Sequence, residues 1–536
     1  MNRLPFLCRR PFLWTLVVLG AALRLFQYAS DTSLWYDELS IVRNLVERSA
    51  SQLLRAPLGY DQVAPVGFMV AEKAISRWLG ESDLAFRLLL LLVGLASLVL
   101  FVPLARRLLD GYAVPFAVAA FAIGAPFIRY SAEVKSYGID VFATIALSLL
   151  ALRLRDADAT AARRGLAAAA GAVLVWFSQP TLFVVAGLGG ALVLAWLRDR
   201  DAPTRRAVVA VVPVWAVASA AAAVVAIRRV TPTTRAYMDA FWRFRDGFFP
   251  RPFRRPGDAL WLWNRIVEFF GDPMLLRYRW PALSAALAVV GAAALWRRNR
   301  FGALVLLCPF GAGVLAAVAQ QFPFKTRVAL FVFPILMLAA AQGAEWIRRQ
   351  ASRLHPVVGA AVMAALFVIP TWSFIEYPPP YWVEDFKTVF AFFREHRRPG
   401  DAVFVFPYAV EAVERYGPEY GLAPVDYEVG GCSAEDPRLF LRDVDRYRGR
   451  PRVWLLVGSV PSMTADRRSV EGYLSAIGVA GDRISIPSLP NLDPVAAQLY
   501  DLSDPVRLAS ASPETFPLAP RGPLKPPCSD RVRRSR

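Results

Sequence analysis

Histidine and cysteine are scarce in this chain of 536 residues, which has two His and four Cys. His355 and His396 stand apart, and neither a CxxC nor an HExxH pattern occurs. The sequence therefore offers no zinc centre built on imidazole or thiolate. Carboxylates can still hold a hard cation, so a divalent ion stays open as a cofactor and no other cofactor is implied. No GxGxxG follows a strand-like run, which removes the usual dinucleotide fingerprint. No internal repeat is present. Cys8 and Cys308 fall in or near apolar segments, whereas Cys432 and Cys528 lie in the polar last part and would pair only in an oxidising compartment. Acidic residues are outnumbered, 43 against 62 Lys and Arg, for a net charge of +19. A nucleic-acid partner does not follow, because much of the Arg sits in short clusters flanking apolar runs, as in membrane proteins.

What the chain has in abundance is apolar length. It is 56% hydrophobic with a mean hydropathy of +0.38, above the roughly 45–50% of soluble domains. Apolar runs lie near 11–29, 88–105, 113–129, 138–153, 165–178, 180–197, 207–227, 281–296, 302–319, 328–344 and 357–375. Each is expected to cross a hydrocarbon core roughly 30 Å thick. The reading is a polytopic α-helical membrane protein with about 11 transmembrane helices over 1–376. Arg24 interrupts the first run and no convincing cleavage site follows, so it reads as an uncleaved helix rather than a signal peptide.

Charge orients the helices. Arg106/Arg107, Arg153/Arg155/Arg163/Arg164, Arg198/Arg200/Arg205/Arg206, Arg297/Arg298/Arg300 and Arg348/Arg349/Arg353 all fall on one side by alternation. That side is cytoplasmic under the positive-inside rule, as is the N-terminus. The outer side then receives 30–87, 130–137, 179–180, 228–280, 320–327 and everything after about 376. One segment breaks the rule: 228–280 carries eleven Arg. It reads either as an interfacial helix with Trp242, Phe244, Phe248, Trp261 and Trp263 in the headgroups, or as a cap whose Arg residues hold an anionic lipid or phosphate. Beyond Tyr377-Pro378-Pro379-Pro380-Tyr381 the pattern changes. Ala402–Pro407 and Arg452–Gly458 are strand-like, with helical spacing over 384–396, 409–417 and 466–478. The reading is a soluble α/β domain over 377–515, with a structural or substrate-gathering role, followed by a basic, disordered tail over 516–536.

Polar residues that a membrane protein does not keep idly sit in the outer segments. Trp35-Tyr36-Asp37-Glu38 follows the first run. Its carboxylates either open a helix, where the dipole favours them, or serve a reaction. Tyr60-Asp61-Gln62 comes next, then Gly80-Glu81-Ser82, and Arg87 stands where the second run begins, as an anchor or a ligand. Arg129-Tyr130-Ser131-Ala132-Glu133-Val134-Lys135-Ser136-Tyr137 is the densest polar loop between two runs. Glu133 and Lys135 there either offset one another or act, Lys135 on a phosphate and Glu133 in orienting it or an acceptor. Lys325-Thr326-Arg327 supplies a second cationic site, or an interfacial anchor. Carboxylates and cations from three outer loops suit transfer from a lipid phosphate: cations stabilise the leaving phosphate and a carboxylate deprotonates the acceptor hydroxyl. Such a leaving group does not itself require a metal.

These residues resemble the membrane-embedded GT-C glycosyltransferases, in particular the protein O-mannosyltransferase and aminoarabinose transferase group. Leu23-Arg24-Leu25-Phe26 with Ser33-Leu34-Trp35-Tyr36-Asp37-Glu38 is similar to that group's first-helix exit and acidic motif. Asp61-Gln62-Val63-Ala64-Pro65, Gly80-Glu81-Ser82 and Arg87 resemble its first-loop pattern, and Tyr130–Tyr137 resembles its Y-S-x-E-x-R-x-Y loop. Lys325, Arg327 and Pro334 resemble the Arg and Pro of a late helix. The resemblance covers roughly residues 20–140, and 320–340 more thinly. It implies a polyprenyl-phosphate-linked sugar donor, a lipid, glycan or protein acceptor, inversion at the anomeric carbon, and a periplasmic site in a bacterial inner membrane. By position it makes Asp37 the base with Glu38 beside it, puts Lys135 and Arg327 on the donor phosphate, and leaves Glu133 a supporting acid. Tyr60, Asp61, Arg87, Tyr137 and Lys325 complete the expected substrate-binding set. Two departures stand out: Lys135 replaces the usual Arg, and Ala64-Pro65 a more typical Pro-Pro. A transporter or flippase of a lipid-linked substrate is the alternative, but transporters favour repeats and broken helices near the midplane. A third reading is a catalytically dead relative acting as an assembly partner, against which Asp37 and Glu133 stand.

Overall fold

The computed structural model describes residues 10–521 except 157–158, 254–255, 273, 432–435, 437, 460–462 and 489–491. Cys8, Cys432, Cys528 and the basic residues after Arg521 lie outside the described residues, so the expected Cys432–Cys528 pairing does too. The chain forms two compact units. One holds the residues up to Asp31, Leu45–Leu58 and Val63–Tyr381; the other holds Thr32–Asn44, Gly59–Gln62 and the chain from Trp382 onward.

The first unit is helical, and each of the eleven apolar runs carries a helix. Among the described residues seven helices are long and apolar enough to cross a membrane: Arg10–Ala29, Asp83–Leu108, Thr181–Asp199, Ala202–Arg228, Arg300–Val318, Thr326–Ser352 and Pro356–Glu376. That is fewer than the expected eleven. The run 113–129 shows one reason: Gly124 breaks it into Ala113–Ile123 and Ala125–Arg129, and the 11 residues of the first piece span only about 16 Å.

Arg24, fully buried in the first long helix, finds a use at that break. Its guanidinium donates to the carbonyls of Ala122 at 3.2 Å and Phe121 at 3.3 Å, groups that a helix C-terminus leaves without intrahelical partners. The charge that interrupts the first run thus ties it to the end of a neighbouring helix.

Pro281–Arg298 and Phe333–Ser352 approach closely through glycine. A Cβ on Gly291 would land on the Ala339 carbonyl oxygen, and one on Gly343 on the Leu287 carbonyl oxygen. Small residues are what permit such backbone contact between helices in lipid. Gly343→Ala is expected to destabilise this pair by about 1–3 kcal/mol. The readout is a lowered unfolding midpoint in detergent; an unchanged midpoint would show that the helices slide apart without cost.

The second unit is α/β. Its strands are β1 (Ala402–Val405), β2 (Glu428–Val429), β3 (Val453–Val457), β4 (Val479–Ile486) and β5 (Val495–Asp501), in the order β2-β1-β3-β5-β4. β1 lies parallel to β2 and β3, while β5 is antiparallel to β3 and β4. β1 and β3 are buried along their whole length, which is why they read as short continuous apolar runs. β4 is largely exposed and β2 is two residues long; neither leaves a pattern to find. Helices Phe386–His396, Val410–Tyr416 and Thr464–Ile477 match the expected helical stretches. The packed chain runs on past residue 515: the Phe516 ring lies 5.3 Å from that of Tyr473, and Arg521 pairs with Asp466 at 2.7 Å.

Candidate active site

Asp37 and Glu38 sit in the first turn of the helix Tyr36–Glu47. The Trp35 carbonyl accepts from the Leu39 N–H at 2.9 Å, while the Glu38 carboxylate reaches back to the Trp35 N–H at 3.3 Å. This is the acidic half of a capping box. Glu38 is buried and Asp37 is half-buried, so the two adjacent carboxylates are not equivalent: Glu38 closes the helix start.

The backbone leading into that helix is held by the second unit residue after residue. The Ser33 hydroxyl accepts from the Lys387 N–H at 2.9 Å and donates to Asp385 at 3.3 Å. The Leu34 N–H donates to the Tyr416 hydroxyl at 2.7 Å, and the Tyr36 N–H to Glu384 at 2.8 Å. The other Glu384 oxygen accepts from the Ser459 N–H at 2.7 Å. Tyr36 also packs its ring on Tyr408, with centroids 4.9 Å apart. Glu384 is fully buried. Burial pushes its carboxyl up to about 7, helped by the negative charges of Asp37 and Glu411 and opposed by the two N–H donors.

Tyr60 and Asp61 join the same unit, both in the left-handed region with φ of 60° and 51°. Asn44 fixes the turn before them, accepting from the Gly59 N–H at 2.8 Å and donating to its carbonyl at 3.2 Å. Arg43 stacks on Tyr60, 4.6 Å from the ring centre, and pairs with Glu414 at 3.2 Å. Both acidic motifs of the first outer segment therefore belong to the C-terminal unit.

The remaining expected residues belong to the helical unit. Arg129 donates through Nε to Glu133 at 2.8 Å, both side chains being about 95% buried. Its ring neighbour Tyr130 packs edge-on against Tyr137, and the Tyr137 hydroxyl accepts from Arg327 at 3.3 Å. The structure thus brings Glu133, Tyr137 and Arg327 into one network, and Lys135, also buried, lies in the same loop. Gly94 makes room for that loop, since a Cβ there would lie 2.5 Å from the Ser131 Cβ. Within the network Arg129 Nη1 and Nη2, Tyr130 Oη and Glu133 Oε1 are buried without a hydrogen-bond partner among the described residues. Unsatisfied donors of a guanidinium are suited to hydrogen-bond an anion.

Lys325 pairs with Glu268 at 3.2 Å, and Arg265 also pairs with Glu268. Burial lowers the Lys325 ammonium, against the pull of Glu268, and raises the Asp272 carboxyl, against Arg327 and Lys325. The Arg-rich segment therefore brings carboxylates as well as cations. It carries two helices, Pro232–Phe244 and Trp261–Gly271. Arg87 is buried in the helix Asp83–Leu108, which starts on the Ser82 hydroxyl accepting the Ala85 N–H at 3.1 Å; its electrostatic neighbours include Tyr28.

Sequence reasoning gave Arg129 no role beyond opening the polar loop, and missed Glu268, Asp272, Arg43 and Glu384. Arg129 and Glu133 did carry a signal, an i,i+4 pair of opposite charge. Tyr381-Trp382-Val383-Glu384-Asp385 carried another, a second aromatic pair followed by adjacent carboxylates, after the proline-rich break.

No family model matches the chain, and no curated protein matches it. Among solved structures it is similar to ArnT from Cupriavidus metallidurans bound to undecaprenyl phosphate, with TM-score 0.47 and 13% identity over 91% of this chain and 98% of that one. It is also similar to the oligosaccharyltransferase AglB from Archaeoglobus fulgidus in complex with an inhibitory peptide and a dolichol-phosphate, with TM-score 0.47 and 12% identity over 87% of this chain and 72% of that one. Each is a likeness in chain trace and nothing more.

Proposed function

We propose that this protein is a membrane glycosyltransferase that moves a sugar from a polyprenyl-phosphate donor to an acceptor hydroxyl on the extracytoplasmic face, with inversion. Asp37 takes the proton of the acceptor hydroxyl as its oxygen bonds to the anomeric carbon. The bond from that carbon to the phosphate oxygen breaks on the opposite face, and polyprenyl phosphate leaves with the electron pair. Lys135, Arg327 and the unpartnered Nη groups of Arg129 take up the charge on the phosphate. Glu133 keeps Arg129 in place rather than meeting substrate, and Glu38 keeps the helix start closed.

One observation supports this reading: of two adjacent carboxylates, Glu38 is buried on a backbone N–H, while Asp37, beside it on the same pinned helix start, is only half-buried. A general base needs that combination of access and fixed position. The direct test is mass spectrometry of cell-envelope glycolipids and glycans with and without the protein. A sugar missing from one envelope component, with its polyprenyl-phosphate form accumulating, is the expected result; unchanged profiles would count against it.

Lys135 gives a narrower test. Lys135→Ala removes one charge-assisted contact to the phosphate, about 1.5–3 kcal/mol. Binding of undecaprenyl phosphate to the purified protein is expected to weaken roughly 10- to 100-fold. An unchanged dissociation constant would take Lys135 out of the donor site.

A further inference from the structure

The α/β unit has so far no task beyond folding, yet the edge of its sheet is occupied. In open sheets with parallel strands, ligands bind in the crevice beyond the carboxyl ends of the strands. Here β1 and β3 are the parallel neighbours at the centre, and the chain leaving them supplies Tyr408 and Ser459. Tyr36 packs on Tyr408, and Glu384 links the Ser459 N–H to the Tyr36 N–H. Gly458 lets the chain leaving β3 run close to the chain leaving β1, since a Cβ there would lie 3.0 Å from the Tyr408 carbonyl oxygen. The crevice is thus filled by the chain's own segment Ser33–Glu38.

We propose that the C-terminal α/β unit is the cradle of the catalytic base: Glu384 is a positioning residue that sets Asp37 by holding the Tyr36 N–H against the carboxyl edge of the sheet. This rests on Asp37 being the base. Glu384 lies 348 residues from Tyr36 in sequence and is fully buried. Each of its oxygens accepts one backbone N–H, one from either side of the joint, so a single carboxylate fixes both partners. Tyr416 on the Leu34 N–H and Ser33 on the Lys387 N–H extend the grip over the same turn.

The charged and titratable groups that face Glu384 are Asp37 and Tyr36 on the helix Tyr36–Glu47, Glu411 on Val410–Tyr416 and Tyr408 after β1. Arg43 stands on Glu411 and Glu414. The ionised carboxylate accepts both N–H groups, while protonation turns one oxygen into a donor and slackens the joint. With the carboxyl raised to about 7, turnover rises with pH through neutrality. A Gln at this position keeps one acceptor and does not titrate.

The experiment uses the full-length protein in detergent, with Glu384→Ala, Glu384→Gln and, as a milder change, Tyr416→Phe. Hydrogen exchange is followed over residues 30–44. Donor KM and kcat are followed with the undecaprenyl-phosphate-linked sugar pool. Glu384→Ala is expected to speed exchange at Leu34–Tyr36 at least tenfold and to lower kcat about 10²-fold, as misplacement of a reacting group does, with donor KM within twofold. Glu384→Gln is expected to recover part of kcat and to lose the rise through pH 7; Tyr416→Phe is expected to loosen exchange at Leu34 alone. Unchanged exchange at 33–36 in all three variants, or kcat unchanged in Glu384→Ala while wild type turns over, overturns the inference. A wild type that transfers no sugar overturns the glycosyltransferase reading instead, and exchange then still decides whether Glu384 holds the segment.

Discussion

Asp37→Asn is expected to remove sugar transfer, lowering kcat by about 10²–10⁴-fold, the usual contribution of a positioned base. The substitution is nearly isosteric, and the backbone of residues 34–36, Ser33 and Glu38 make hydrogen bonds that place this helix start and that the substitution does not touch. Expression, unfolding midpoint and binding of undecaprenyl phosphate are therefore expected to stay as in wild type. Only the proton transfer is lost. Glu38→Gln serves as the comparison: a Gln oxygen still accepts the Trp35 N–H, so activity is expected to fall less than tenfold. If the two variants lost activity equally, the division of labour between the adjacent carboxylates would be wrong.

Glu133→Ala carries the largest expected effect on stability. Arg129 and Glu133 are about 95% buried and joined at 2.8 Å. Removing the carboxylate leaves a buried guanidinium whose Nη groups have no partner among the described residues. Breaking a buried pair from one side costs about 3–5 kcal/mol. The helical unit is expected to unfold at a clearly lower temperature in detergent, and saturating undecaprenyl phosphate to restore part of the loss by binding only the folded form. An apparent loss under about 1 kcal/mol would mean that water already reaches Arg129. Restoration by undecaprenyl phosphate would place an anion at those Nη groups; no restoration would remove Arg129 from the donor site.

How much of this was legible in the sequence depended on range. Each apolar run located a helix, because hydrophobic length is a local property. Whether a run crosses a membrane was less local: a single Gly124 cuts the helix of the third apolar run to 11 residues. β1 and β3 were visible as buried runs, while β4 lies exposed and β2 is too short to leave a pattern. The acidic motif at Asp37-Glu38 was visible, but not its allegiance. It folds with the C-terminal unit through Glu384 and Tyr416, hundreds of residues away, and no spacing or periodicity encodes such a pairing. Lys325 illustrates the same limit. It read as a second cationic site or an interfacial anchor, and nothing in the sequence paired it with Glu268 of the Arg-rich segment, which lies 3.2 Å from it.

The central claim is that Asp37 drives inverting transfer from a polyprenyl-phosphate sugar. Its most direct test is a single-turnover reaction in proteoliposomes, measuring free polyprenyl phosphate, transferred sugar and the anomeric configuration of the product together. The account predicts one polyprenyl phosphate released per sugar transferred, inverted configuration, and neither product with Asp37→Asn. Retained configuration, or full transfer by Asp37→Asn, would contradict it.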